Sequence, residues 1–215
     1  MERGLFITLE GSEGAGKSSA MEYLTAALQA ASVDLLPTRE PGGTKLGERL
    51  REILLNTYDV PITPMSELLM IFAARAQHVE QVIRPALLEG HWVLCDRFTD
   101  ASYAYQGGGR SLGEGPVRAL EDLVQGSLRP DVTILLDVPV EVGLERARGR
   151  GELDRFEQED LAFFERVRQS YLSHARRGTG RYRVIDASRD IDEVQAQLKA
   201  LINELVDCPP VLESW

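Results

Sequence analysis

The sequence predicts an α/β fold, a five-stranded parallel sheet flanked by helices on both faces, and three observations carry it. Five short apolar runs alternate with longer segments of helical period. The runs are almost continuously apolar, as strands buried on both faces are. A glycine-rich loop, GSEGAGKS (11–18), sits between the first run and the first helical segment, the place where parallel α/β sheets gather their ligands.

The elements follow in order. LFITLE (5–10) is the first strand, and a helix starts inside the loop at Lys17 and runs to about Ala31. VDLLPTRE (33–40), interrupted by Pro37, is the second strand, followed by a helix over about 44–56. Residues 64–89 read as one long, largely helical segment with Pro85 near its end. HWVLCD (91–96), VTILLDV (132–138) and YRVIDA (182–187) supply three more strands, each short and bounded by Gly, Pro or polar residues. Helices fit 116–126, 140–149, 157–176 and 190–206, while GGGRSLGEG (107–115) and RGRGELD (148–154) read as mobile loops.

A chain of 215 residues holds one sizeable core more comfortably than two, so residues 1–215 are expected to form a single domain. The net charge of -10 argues against a general nucleic-acid surface, although local arginines can still dominate an anion pocket. No apolar run approaches membrane-span length, and the opening MERGLFITLEG lacks a signal region; a cytoplasmic address is the default. Cys95, in an apolar run, reads as a core thiol, and with Cys208 near the C-terminus no disulfide scaffold is expected.

Gly11-Ser12-Glu13-Gly14-Ala15-Gly16-Lys17-Ser18 matches G-x-x-x-x-G-K-[ST] in the strand-to-helix context that motif requires. Glycines let backbone N–H groups turn inward around phosphate oxygens, and the helix N-terminus adds partial positive charge. Lys17 is expected on the β- and γ-phosphates and the Ser18 hydroxyl on Mg²⁺. The motif leaves switch, hydrolase and kinase open. An N-K-x-D segment for a GTPase switch is absent, and the strand WVLCD ends in Asp96 followed by Arg97 rather than in a pair of acids. Asp96 can assist Mg²⁺, and a cation at 97 suits a second phosphorylated substrate better than an attacking water.

Arg39, in TREPGGT (38–44), Arg51 and Arg97 fall near C-terminal strand ends or just beyond, the ligand-binding edge of a parallel sheet. Each alone reads as a solvated charge; as a set beside a phosphate loop they read as an anion site. Arg146, Arg148, Arg150 and Arg155 surround two glycines in RARGRGELDRFE (146–157). The bland reading is a basic helix end favoured by its dipole, and the functional one a lid over transferring phosphates.

With EGSEGAGKSS, TREPGGT, FAARAQH (72–78), CDRFTDASYAYQGGGR (95–110) and RGELDRFEQED (151–160) in order along nearly the whole chain, the sequence resembles the bacterial thymidylate kinases, the dTMP kinases, of the branch with an arginine-rich lid. The resemblance implies a P-loop kinase fold, commonly homodimeric, that transfers the γ-phosphate of ATP to dTMP. It implies an ATP site on Gly11 to Ser19 with Arg146 near the adenine, and Mg²⁺ bridging the ATP phosphates with help from Ser18 and Asp96. It gives Glu13 the sugar 3′-hydroxyl of dTMP, and Pro41, Arg39, Arg51 and Arg97 the surroundings of its phosphate. Phe72 is expected to stack on the thymine, Arg75 to donate to O4, Ser102 and Gln106 to lie at the base edge, and Tyr105 to crowd the 2′ position. Some members carry an arginine inside the phosphate loop. Here Ser12, Glu13, Gly14 and Ala15 stand there, so the missing charge is expected from Arg150 and Arg155, with Glu157 and Glu159 orienting them or simply solvated. The alternatives are a kinase of another nucleotide, or a P-loop ATPase or switch acting on a protein partner.

Overall fold

The computed structural model of the chain describes residues 3–56, 61–149, 154–178 and 180–210. β1 (Phe6–Gly11) lies at the centre of a five-stranded sheet of order β2-β3-β1-β4-β5, with β2 Leu35–Arg39, β3 Trp92–Asp96, β4 Val132–Asp137 and β5 Tyr182–Asp186. Every pairing is parallel, with Leu9 opposite Asp96 on one side and Ile134 on the other. β1 and β3 therefore end side by side, at the point where the chain switches from one half of the sheet to the other, and ligand crevices form there.

Alternation along β1 decides what each face buries. Leu5, Ile7 and Leu9 pack with Leu24 and Leu28 of α1 (Lys17–Ala30) and Leu198 and Leu201 of α9 (Ile191–Asp207). Phe6 faces the other way, against Val93, Cys95 and Phe98. Thr8 and Glu10 share that second face and are fully buried, so both need partners. Thr8 meets the Thr133 hydroxyl at 3.1 Å. Glu10 accepts from Phe98 N and from the Tyr171 hydroxyl, each at 2.8 Å, the latter on α8 (Leu161–Arg177).

Burial, then the nearby Asp100 charge, pushes the Glu10 carboxyl from the usual 4.5 up to about 7, against the pull of the Tyr171 hydrogen bond and of Arg97. The folded chain thus holds a proton that the unfolded chain releases at lower pH, and this group costs stability progressively as pH rises from 4.5 through 7. Glu10→Gln is expected to gain on wild type as pH rises, by up to about 3 kcal/mol above pH 7 and by little near pH 4.5. Urea unfolding of both proteins across pH 4.5–8 measures it, and parallel curves would refute the buried-carboxyl account.

Several sequence expectations are corrected. The two edge strands, β2 and β5, are partly exposed rather than buried on both faces, and Pro37 sits inside β2 because an edge strand tolerates a missing donor. Residues 64–89 are not one regular helix: α3 (Pro64–His78) passes through a π-helical turn at Val79–Ile83 into α4 (Arg84–Leu88). Pro85 has no N–H and its ring crowds the carbonyl of residue 81, and the wider turn absorbs both. The helix expected from 157 starts at Leu161, where the Asp160 side chain caps Phe163 N at 2.7 Å.

The stretch 107–115 is not a mobile loop. After α5 (Thr99–Ser102) the chain continues as a π-helical segment, Tyr103–Gly109, packed on α8. A Cβ at Gly109 would come 2.5 Å from the Phe163 ring, so glycine here permits close helix approach. Residues 110–113 turn the chain into α6 (Glu114–Gln125). Cys95 is buried and Cys208 exposed, and both are free.

Candidate active site

The phosphate loop follows β1 without a break. Gly14 has φ +69, and a Cβ there would fall 1.8 Å from the Gly143 carbonyl oxygen on α7 (Val140–Arg148), so the loop is pressed against that helix. Lys17 opens α1 and folds back to donate to the carbonyls of Gly11 and Ser12, both at 3.1 Å. Burial, then the Arg97 charge, lowers the pKa of its ammonium, while Glu13, Asp96 and Glu10 pull the other way. The loop is a wall between two cavities, since Gly14, Gly16 and Ser18 line both.

The first cavity, about 250 Å³, runs from the loop and Asp96 past Arg51 and Arg97 to Arg75, Ser102, Tyr105 and Gln106. Arg97 has φ +66, an uncommon conformation for a residue with a Cβ. It follows β3 directly, and its amide donates to Leu9 O. Its guanidinium reaches Glu13 Oε1 at 2.5 Å and Gly11 O at 3.2 Å, and lies 4.7 Å from the Tyr105 ring centroid. The Tyr105 hydroxyl donates to Glu13 as well, at 3.0 Å. Glu13 therefore holds Arg97 and Tyr105 on one carboxylate. Arg51 donates to Pro41 O at 3.0 Å, and its pKa is lowered by burial and then by the charges of Arg39 and Arg97. Like charges crowded in this way favour an anion among them.

At the far end Arg75 is 1% exposed. Its Nε donates to Glu40 at 2.6 Å and its Nη2 to Ser102 at 3.1 Å, while Nη1 is buried without a partner. The guanidinium lies 4.4 Å from the Phe72 ring centroid and 4.9 Å from that of Phe98. Phe72 is turned away from the cavity into a cluster with Leu68, Tyr103 and Val117. Ile71 and Phe98 line the cavity instead, so Phe72 holds Arg75 rather than facing a ligand. One residue along a helix is a turn of about 100°, which a linear motif does not reveal.

Other expected residues lie apart. Arg39 is exposed and paired with Glu48 at 2.9 Å, outside the cavity lining. Arg155 donates to Leu54 O at 2.7 Å and to Glu67 at 2.6 Å, also away from the lining. Arg150 lies outside the described residues. Glu159 pairs with Arg110, and Glu157 accepts from Asp154 N at 3.0 Å. Arg146 donates to Ala187 O at 2.8 Å and lines the second cavity with Ala15, Ser18, Ser19 and Arg189. Ser12 is buried within the loop.

Among the buried acids of the described residues, three that the sequence does not single out support the site. Glu10 holds Phe98 N behind the Arg97 turn. Glu40 accepts from Arg75 and lies 3.0 Å from His78 Nδ1. Glu67 accepts from Gln106, Arg110 and Arg155. A signal existed for Glu67, which lies four and eight residues before Ile71 and Arg75 on the inward face of α3. A carboxylate on that face requires cationic or amide partners.

A loop for phosphates at the switch point of a parallel sheet, with a nucleotide-sized cavity on each side, defines a P-loop kinase. The sequence model of thymidylate kinase matches residues 9–198. A thymidylate kinase of Pseudomonas savastanoi pv. phaseolicola is 58% identical over 204 residues, covering 95% of this chain and 97% of that protein. One from Ectopseudomonas mendocina is 59% identical over 204 residues, with the same coverage. One from Pseudomonas putida is 57% identical over 203 residues, covering 94% and 98%. The chain belongs to the thymidylate kinase family.

Proposed function

We propose that the chain transfers the γ-phosphate of ATP to dTMP, giving ADP and dTDP for dTTP synthesis. The observation that carries this reading is the wall: one phosphate loop faces two cavities, and the first has crowded arginines near the loop and, at its far end, the Arg75 guanidinium, whose buried Nη1 has no partner. ATP occupies the second cavity, with its phosphates on Gly11 to Ser19 and its adenine near Arg146 and Ala187. The dTMP phosphate sits by Arg97 and Arg51, near Pro41, with Arg39 at the rim. Its base lies between Ile71 and Phe98, with O4 on Arg75 Nη1 and Ser102 and Gln106 at the edge. Donor would meet donor if cytosine entered.

Asp96 Oδ1 is buried without a partner, and Asp96 lines the same cavity as Lys17 and Ser18. A lone carboxylate with one hydroxyl suits Mg²⁺, which keeps its waters and takes its other ligands from phosphates. Ser18 and Asp96 would hold the ion, and it would supply charge neutralisation at the transferring phosphate. Lys17 neutralises the developing charge. Arg97, braced by Glu13 and Gly11 O, aligns the attacking phosphate oxygen, and Tyr105 shapes the sugar pocket. Positioning of this kind supplies most of the rate in phosphoryl transfer. Glu13 is free to exchange part of its hold on Tyr105 for the sugar 3′-hydroxyl.

Residues 1–215 act as one domain whose lid, about 146–157, brings Arg150 toward the phosphates, with Arg155 anchoring its far end. A homodimer in the cytoplasm is the working form, without a nucleic-acid or membrane partner. Among the described residues no helix is long and apolar enough to cross a membrane. ADP release with ATP and Mg²⁺ tests the reading against dTMP, dUMP, dCMP, dGMP and no acceptor. Strong turnover with dTMP, less with dUMP and none without acceptor is expected. Acceptor-independent release would favour an ATPase, and preference for another base would overturn the thymine assignment.

A further inference from the structure

We propose that Glu67 is a specificity-positioning residue: it locks the side-chain amide of Gln106 so that the cavity is presented with a carbonyl acceptor beside the Arg75 donor. The inference rests on the thymine reading of the cavity.

Glu67 lies in the first turn of α3 and is fully buried. Gln106 Nε2 donates to its Oε1 at 2.8 Å. Arg110 Nε reaches both of its oxygens at 3.2 Å, and Arg155 Nη2 reaches Oε2 at 2.6 Å. A carboxylate accepts and never donates. With Nε2 committed to Glu67, Oε1 is the group of the Gln106 amide left to offer to the cavity that the residue lines. The Arg75 guanidinium on the same cavity can only donate. A donor beside an acceptor matches the O4 and N3–H of thymine. It mismatches the amino group and bare N3 of cytosine at both positions.

The same carboxylate also reaches the segment after the expected lid. Arg155 hangs from Glu67 and from Leu54 O, its backbone amide donates to Leu55 O at 3.1 Å, and its guanidinium lies 4.5 Å from the Phe156 ring centroid. Phe156 in turn lines the cavity and meets Tyr105 edge-on at 5.9 Å. Base reading and the seat of residues 154–156 therefore share one buried acid.

Glu67→Gln tests the proposal, because a glutamine at 67 can donate or accept and so frees Gln106 to turn over. Steady-state kinetics with dTMP and dCMP, at varied ATP, should show the dTMP-over-dCMP ratio of kcat/KM falling about tenfold. The dTMP-over-dCMP ratio carries the test, because the same substitution also loosens the seat of Arg155 and any effect through that segment falls on both acceptors alike. In a Gln106→Leu background, where there is no amide to orient, Glu67→Gln should leave the ratio where Gln106→Leu alone puts it. Equal losses for both acceptors, or a Glu67→Gln effect that persists without Gln106, would assign Glu67 to the fold alone and overturn the proposal. A wild type with no preference for dTMP over dCMP overturns the thymine reading and this inference with it. A wild-type preference that Glu67→Gln retains overturns this inference only. Should Glu67→Gln fail to fold, the wild type carries the test through the ¹⁵N side-chain amide signal of Gln106. The amide should stay protected from hydrogen exchange with and without dTMP, and a hydrogen bond donated by its N–H₂ group to the bound nucleotide would refute the assigned orientation.

Discussion

Lys17→Ala is expected to lower kcat for ADP formation with dTMP by about 10²–10³-fold, the loss seen when one preorganised donor to a developing negative charge is removed. The ammonium sits at the mouth of α1, tethered to the carbonyls of Gly11 and Ser12, where it can swing onto phosphate oxygens without rearranging the loop. Its lowered pKa, caused by burial and by Arg97, shows that the folded protein bears a cost to keep a cation there. Removing it should relieve that cost, so cooperative thermal unfolding should persist and KM for dTMP should change little. Near-normal turnover in a coupled ADP assay would sink the role given to Lys17.

Arg97→Ala should lower kcat/KM for dTMP by about 10²-fold or more, because it breaks a partly buried charge pair with Glu13 and strips the acceptor phosphate of its main cation. Glu13 and Tyr105 lose the guanidinium that now lies between the loop and the sugar pocket. Alanine bears the same positive-φ cost as arginine at this turn, so the backbone comparison is clean. ATP binding should stay within about twofold, since the second cavity is lined by other residues. If isothermal titration shows ATP affinity collapsing in step with dTMP use, the two cavities have been assigned to the wrong substrates.

Part of this site is legible in the sequence. Gly11 to Ser18 is one contiguous phrase, and its chemistry is local: a turn, a helix N-terminus and a lysine. Arg97 was legible because a strand ends immediately before it. Phe72 and Ile71 were not separable, since both sit on an apolar helix and only the packing of α3 on α6 decides which faces the cavity. Arg39 and Arg155 carry the right charge in the right phrases, yet Glu48 and Glu67 claim them. The glycines at 107–109 suggested mobility, and they are there because α8 comes too close for side chains.

The alternation of strands and helices, the place of the phosphate loop and the family are all readable along the chain, because apolar period and contiguous motifs are properties of sequence neighbours. Tertiary structure alone decided the acids. Glu40 meets Arg75 across 35 positions, Glu67 meets Gln106 across 39, and Glu10 meets Phe98 N across 88. A glutamate in a linear sequence is by default a solvated charge. It becomes a fixed acceptor only when distant segments exclude water around it and supply the donors that make its burial tolerable.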